Sequence, residues 1–157
     1  MTWIVLYPPF VAALVALAAI DVDRRLLPNR IVYPLAAWGF VATLLVERGQ
    51  LVEHLAAGAG GFLFLYLAAL AQPAGMGMGD AKLAGVLGLY LGAAVIPALL
   101  AALLAGTLAG VGLVLRDGAG ALKTTVPFGV FLALGGVVGV FAGTDLLELY
   151  DHAFLAG

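Results

Sequence analysis

From Leu83 to Leu115 the chain runs 33 residues without a charged side chain or a histidine. As one helix that run would be about 50 Å long at ~1.5 Å per residue, well beyond a hydrocarbon core of ~30 Å. It must therefore fold back on itself. The segment GAAVIP, Gly92 to Pro97, is where it can do so, because glycine ends a helix readily and proline cannot continue one without losing a hydrogen bond. Two short spans follow from one long run. The rest of the chain agrees: 64% of residues are hydrophobic and 10% charged, against about 25% charged in soluble domains. The sequence predicts an all-α integral membrane bundle.

Short charged loops divide the remaining apolar runs. Thr2 to Ile20 reads as a first span, DVDRRLLPNR as a loop, Ile31 to Val46 as a second span, and ERGQLVEH as a loop before Leu55 to Pro73. RDGAGALKTT separates the folded-back pair from Val126 to Gly143, and TDLLELYDHAFLAG reads as an acidic tail. About six transmembrane helices at ~20 residues each consume all 157 residues, so residues 1–157 form one polytopic domain. The opening MTWIVLYPPF lacks the positive region of a cleavable signal and reads as the start of a retained span. Glycines spaced four apart at Gly88 and Gly92, Gly106 and Gly110, and Gly135, Gly139 and Gly143 read as close helix contacts, not as chemistry.

Charge orients the bundle. With the N-terminus external, Arg24, Arg25, Arg30, Lys82, Arg116 and Lys123 fall on the cytoplasmic side and only Arg48 outside. If Leu83 to Leu115 were a single span, Arg116 and Lys123 would change sides and the bias would shrink. Asp21 and Asp80 then share the cytoplasmic face. A net charge of −2 offers nucleic acid no electrostatic footprint. The absence of cysteine excludes thiol catalysis and cysteine-ligated zinc. His54 and His152 lie on the external side in this layout, which argues against a metal site shared with Asp80.

An ionised side chain within a span costs roughly 2.5 to 3.5 kcal/mol on insertion scales and marks either function or an internal partner. At a boundary the cost is lower, and Asp80 reads equally as an N-terminal helix cap. Asp23, among arginines, reads as a solvated loop residue. Lys82, two residues beyond Asp80, would point elsewhere on a helix and serve mainly as a positive-inside anchor.

The two stretches IDVDRRLLPN and MGMGDAKL, taken together, resemble the type IV prepilin peptidases, membrane aspartyl proteases with a Gly-x-Gly-Asp motif. In that family one catalytic aspartate stands seven residues before the proline of a Leu-Pro-Asn turn, a position held here by Asp21, with Pro28 and Asn29. Gly77, Gly79, Asp80 and Lys82 match the second motif, and Pro127, Phe128 and Gly129 a Pro-Phe-Gly element before the last span. The resemblance spans about Ile20 to Gly136. It implies an aspartic endopeptidase of the inner membrane, multi-pass and with its site facing the cytoplasm, that removes the short cytoplasmic leader of prepilins or pseudopilins. Asp21 and Asp80 would be catalytic; Gly77 and Gly79 would admit the substrate strand without a Cβ in the way. No cofactor and no metal are implied, and the partners are the substrate helix and the lipid bilayer.

Two carboxyl groups suit that chemistry, one taking a proton from water while the other polarises the scissile carbonyl, and the pair titrates as a unit. Longer members carry a cysteine-paired zinc domain and also N-methylate the new terminus. This chain resembles the short form without that domain. Intramembrane proteases of the presenilin type share Gly-x-Gly-Asp, but neither their tyrosine-preceded aspartate nor their Pro-Ala-Leu motif occurs here. A different class remains open on the residues alone: a small ion or solute carrier binding a cation or proton at Asp21 and Asp80.

Overall fold

In a computed structural model the chain is described over residues 2–46, 48–71, 76–118 and 127–154. Lys123 and the expected span limits Pro73 and Val126 lie outside the described residues. Among the described residues six α-helices make up the bundle: α1 (Thr2–Arg24), α2 (Asn29–Val46), α3 (Leu51–Ala71), α4 (Met78–Leu91), α5 (Val95–Asp117) and α6 (Phe128–Phe154). Short 3-10 turns precede α3 and join α4 to α5. The all-α bundle is as the sequence predicts.

Helix α4 is the axis of the fold. Nine of its 14 residues are buried, and it packs against α2, α3 and α6. A helix apolar on every side has no solvent face to offer and is stable only when surrounded. Its contact with α3 depends on small residues: a Cβ on Gly61 would stand 2.8 Å from the Ala84 carbonyl oxygen, and one on Gly88 would strike the Ala57 backbone. On another side Tyr90 stacks on Phe10 of α1 with ring centroids 3.9 Å apart, and its hydroxyl donates to the Leu35 carbonyl oxygen of α2 at 3.0 Å. One aromatic side chain thus joins three helices in the core.

The long apolar run does fold back. Leu87 and Leu91 of α4 meet Gly136 and Gly139 of α6 in ascending order, whereas Ala94, Ala98 and Ala102 meet Gly143, Gly139 and Gly135 in descending order. Helices α4 and α5 therefore run in opposite directions. The reversal occupies Gly92–Ala94, with Gly92 at φ +55°, a conformation that side chains with a Cβ rarely adopt. Pro97 sits in the first turn of α5, where its missing N–H costs nothing.

Three expectations need correction. Four segments among the described residues are long and apolar enough to cross a membrane: Asn29–Val46, Arg48–Ala71, Met78–Asp117 and Phe128–Leu149. That is fewer than about six, because α4 and α5 count as one segment and α1 is not among the four. At 14 residues α4 is only about 21 Å long and falls short of a ~30 Å core. ERGQLVEH is not a loop throughout: α3 begins at Leu51. Glu53 and His54 are helical there and find tertiary partners, the Glu53 carboxylate accepting from the Ala93 N–H of the reversal at 3.0 Å and His54 Nδ1 lying 2.9 Å from the Leu89 carbonyl oxygen of α4. The acidic tail is likewise helix, since α6 continues to Phe154 with Leu147 packed against the core.

Candidate active site

The spacing from Asp21 to Pro28 has a local explanation. Helix α1 closes when the Asp21 carbonyl accepts the Arg25 N–H at 2.8 Å, and Arg25 takes a left-handed φ of +51° that turns the chain out of the helix. Leu26 is left exposed while Leu27 turns inward. Pro28 then offers its carbonyl to the N–H groups of Ile31 and Val32 and starts α2. Asp21 lies one turn before this corner, 5% exposed.

Asp80 occupies the first turn of α4. Its backbone N–H donates to the Gly77 carbonyl at 3.1 Å, and its Oδ2 accepts the Gly77 N–H at 3.0 Å, a reciprocal pair that closes the helix start. The capping role legible in the sequence is therefore real. It leaves Asp80 8% exposed.

Helix α6 supplies the third wall. The Gly129 and Val130 N–H groups, at the positive end of its dipole, face the Asp21 carboxyl. Asp21 Oδ2 rests so close to Gly129 that a Cβ there would be 2.7 Å from it. That oxygen is buried and has no hydrogen-bond partner among the described residues. A buried carboxyl oxygen so placed is left to a proton or a water molecule. The end of α1 and the starts of α4 and α6 thus bring Asp21, Asp80 and Gly129 to one end of the bundle.

The remaining candidates sort clearly. Asp23 is exposed. Lys82 points away from Asp80, donating to Asn29 Oδ1 at 3.0 Å with its ammonium 5.1 Å from the Tyr33 ring centroid. Gly77 is exposed, whereas the side-chain position of Gly79 is taken by Leu27, whose Cβ would stand 3.0 Å from a Cβ on Gly79. His54 belongs to the opposite end, beside Gly92, and His152 is exposed near the end of α6. Among the described residues no three His, Asp or Glu gather as a metal site. Sequence reasoning did not single out Leu27. Its signal was its place as the leucine of the Leu-Pro-Asn turn, directly before Pro28, which separates it from Leu26.

Residues 9–115 match the model of the type IV leader peptidase family. The chain belongs to that family. Asp21, Pro28, Asp80 and Lys82 all fall in the matched region. Similar sequences include the prepilin leader peptidase/N-methyltransferase of Aeromonas hydrophila, 33% identical over 148 residues, 90% of this chain and 51% of that protein. The Burkholderia pseudomallei (strain K96243) protein of the same description is 34% identical over 144 residues, covering 88% of this chain and 46% of its own. That of Bacillus subtilis (strain 168) is 31% identical over 141 residues, covering 90% and 57%. The chain spans about half the length of these relatives. No solved structure matches.

Proposed function

We propose that this family member is a membrane aspartyl endopeptidase that removes the cytoplasmic leader of a prepilin or pseudopilin, with Asp21 and Asp80 as its catalytic pair. The observation that supports the proposal is their convergence: two carboxyl groups distant in sequence lie at one end of the bundle, Asp21 against Gly129 and Asp80 next to Gly79, two glycines that both pack on Leu27, and Asp21 Oδ2 has no hydrogen-bond partner among the described residues. The relatives' description supplies the substrate class.

Like charges within each other's field disfavour double ionisation, so the pair holds one proton between its members. The ionised carboxyl takes a proton from water as the hydroxide oxygen bonds to the scissile carbonyl carbon. The protonated carboxyl donates to the carbonyl oxygen, which becomes the hydroxyl of a tetrahedral intermediate. Collapse breaks the C–N bond; the amine leaves with the proton taken from water, and the hydroxyl proton returns to the other carboxyl. Charged groups line the same end: Arg24 and Arg25 beside Asp21, and Arg30 in the first turn of α2. That charge distribution follows the positive-inside tendency and supports a cytoplasmic location for this end, at the boundary where a leader meets its apolar stem.

Cleavage of a prepilin by the detergent-solubilised protein tests the proposal. Asp21→Asn and Asp80→Asn should each lower turnover by at least about a thousandfold while the protein stays helical and monodisperse. Turnover retained in either variant rejects the assignment.

A further inference from the structure

Leu27 packs on two glycines, Gly79 next to Asp80 and Gly129 against Asp21. A Cβ on Gly79, the residue before Asp80, would lie 3.0 Å from Leu27 Cβ and 3.5 Å from its Cδ1. A Cβ on Gly129, against which Asp21 Oδ2 rests, would lie 3.2 Å from Leu27 Cδ2. The Leu27 side chain therefore fills the space between the start of α4 and the start of α6. It is held there by the left-handed turn at Arg25 and by Pro28, seven residues after Asp21 on the same short corner. We propose that Leu27 is a positioning residue whose side chain, wedged between Gly79 and Gly129, sets the separation of Asp21 and Asp80.

The proposal rests on the peptidase reading. Two carboxyl groups share a proton only over a narrow range of separation, and an error of ~1 Å in a catalytic constellation can cost about a hundredfold in rate. Neither glycine tolerates a side chain without pressing on this leucine, so the residues next to Asp80 and Asp21 bear on one common spacer. The other charged groups near this corner are Asp23 and Arg24 on α1, Arg25 on the corner, Arg30 on α2 and Lys82 on α4, while those of α6, Asp145, Glu148, Asp151 and His152, lie in its C-terminal part. Apart from Lys82, which is tied to Asn29, those near the corner are exposed.

A leucine that merely filled space would affect stability alone. A spacer alters how the two carboxyl groups titrate against each other, and that distinguishes the roles. In Leu27→Ala, kcat should fall about 30- to 100-fold with KM changed less than about threefold. The two limbs of its pH–rate profile should approach each other by at least about half a pH unit. Leu27→Met, of similar volume, should recover kcat to within about fivefold of wild type and restore the limb spacing. If Leu27→Ala does not fold, Leu27→Val carries the same readings, since it keeps the Cβ beside Gly79 and shortens the reach to Gly129. An unchanged kcat, a loss confined to KM, or a loss with wild-type limb spacing overturns the proposal. Asp21→Asn and Asp80→Asn, run alongside, separate the two failures. If they stay active the peptidase site is wrong; if they are dead and the Leu27 variants show no limb shift, only the spacer is.

Discussion

Lys82 Nζ donates to Asn29 Oδ1 at 3.0 Å, joining two motifs that are 53 residues apart in the chain. The bond ties the N-terminal part of α4 to the first residue of α2, and hence the Asp80 terminus to the corner that carries Leu27. Lys82→Met should loosen the tie and lower turnover about five- to tenfold, as expected for one partly exposed charge-assisted bond worth ~1 kcal/mol. Lys82→Arg, which can still reach Asn29, should lose less. Cleavage rates of the two variants against Asn29→Ala measure it, and equal losses in all three would contradict the tie.

Asp80 both caps α4 and, on the proposal above, acts in catalysis; two substitutions separate these roles. Asn at position 80 can still accept the Gly77 N–H, so Asp80→Asn should change thermal stability by less than about 1 kcal/mol while abolishing turnover. Asp80→Ala loses the bond as well and should cost about 1 kcal/mol more. Parallel melting and cleavage measurements in detergent read both effects.

Gly129→Ala would place a methyl group 2.7 Å from Asp21 Oδ2, so the carboxyl must move. Turnover should fall by about a hundredfold. Gly110 on α5 is the control: a Cβ there meets nothing within 4 Å, and alanine favours a helix interior by up to ~1 kcal/mol. Gly110→Ala should be as active as wild type and at least as stable, as cleavage and melting curves will show.

Tyr90→Phe retains the stacking on Phe10 but removes the donor to the Leu35 carbonyl. That carbonyl loses its only side-chain donor among the described residues, and the change should destabilise the bundle by about 1–2 kcal/mol. Catalysis, at the far end of α4, should be little changed once the protein is folded. A lowered melting temperature with near-normal kcat is the expected pair of results.

Where the expectations missed, the cause was reading polarity as a loop signal. Glu53 and His54 lie in α3, where the Glu53 carboxylate accepts the Ala93 N–H of the reversal and His54 Nδ1 meets the Leu89 carbonyl of α4, partners 40 and 35 positions away. Asp145 and Glu148 did not end α6 because Leu147 between them still packs against the core. The turn near Gly92 was legible because it follows from length alone: no bilayer accommodates a straight 33-residue apolar run. Asp21 and Asp80 were legible as candidates because charge is rare in this chain.

The sequence by itself determined the solvent, the helices, the reversal and the short list of ionisable groups, since hydropathy and helix-breaking act locally and add up along the chain. Only the tertiary structure decided that Asp21 and Asp80 lie at one end of the bundle, that Gly129 backs Asp21, and that Leu27 fills the space between the starts of α4 and α6. Those relations depend on distances between α1, α4 and α6. Such distances are set by which side chains the helices lack at their crossings and by the path of one four-residue corner, 25–28, and no local property of the chain encodes them.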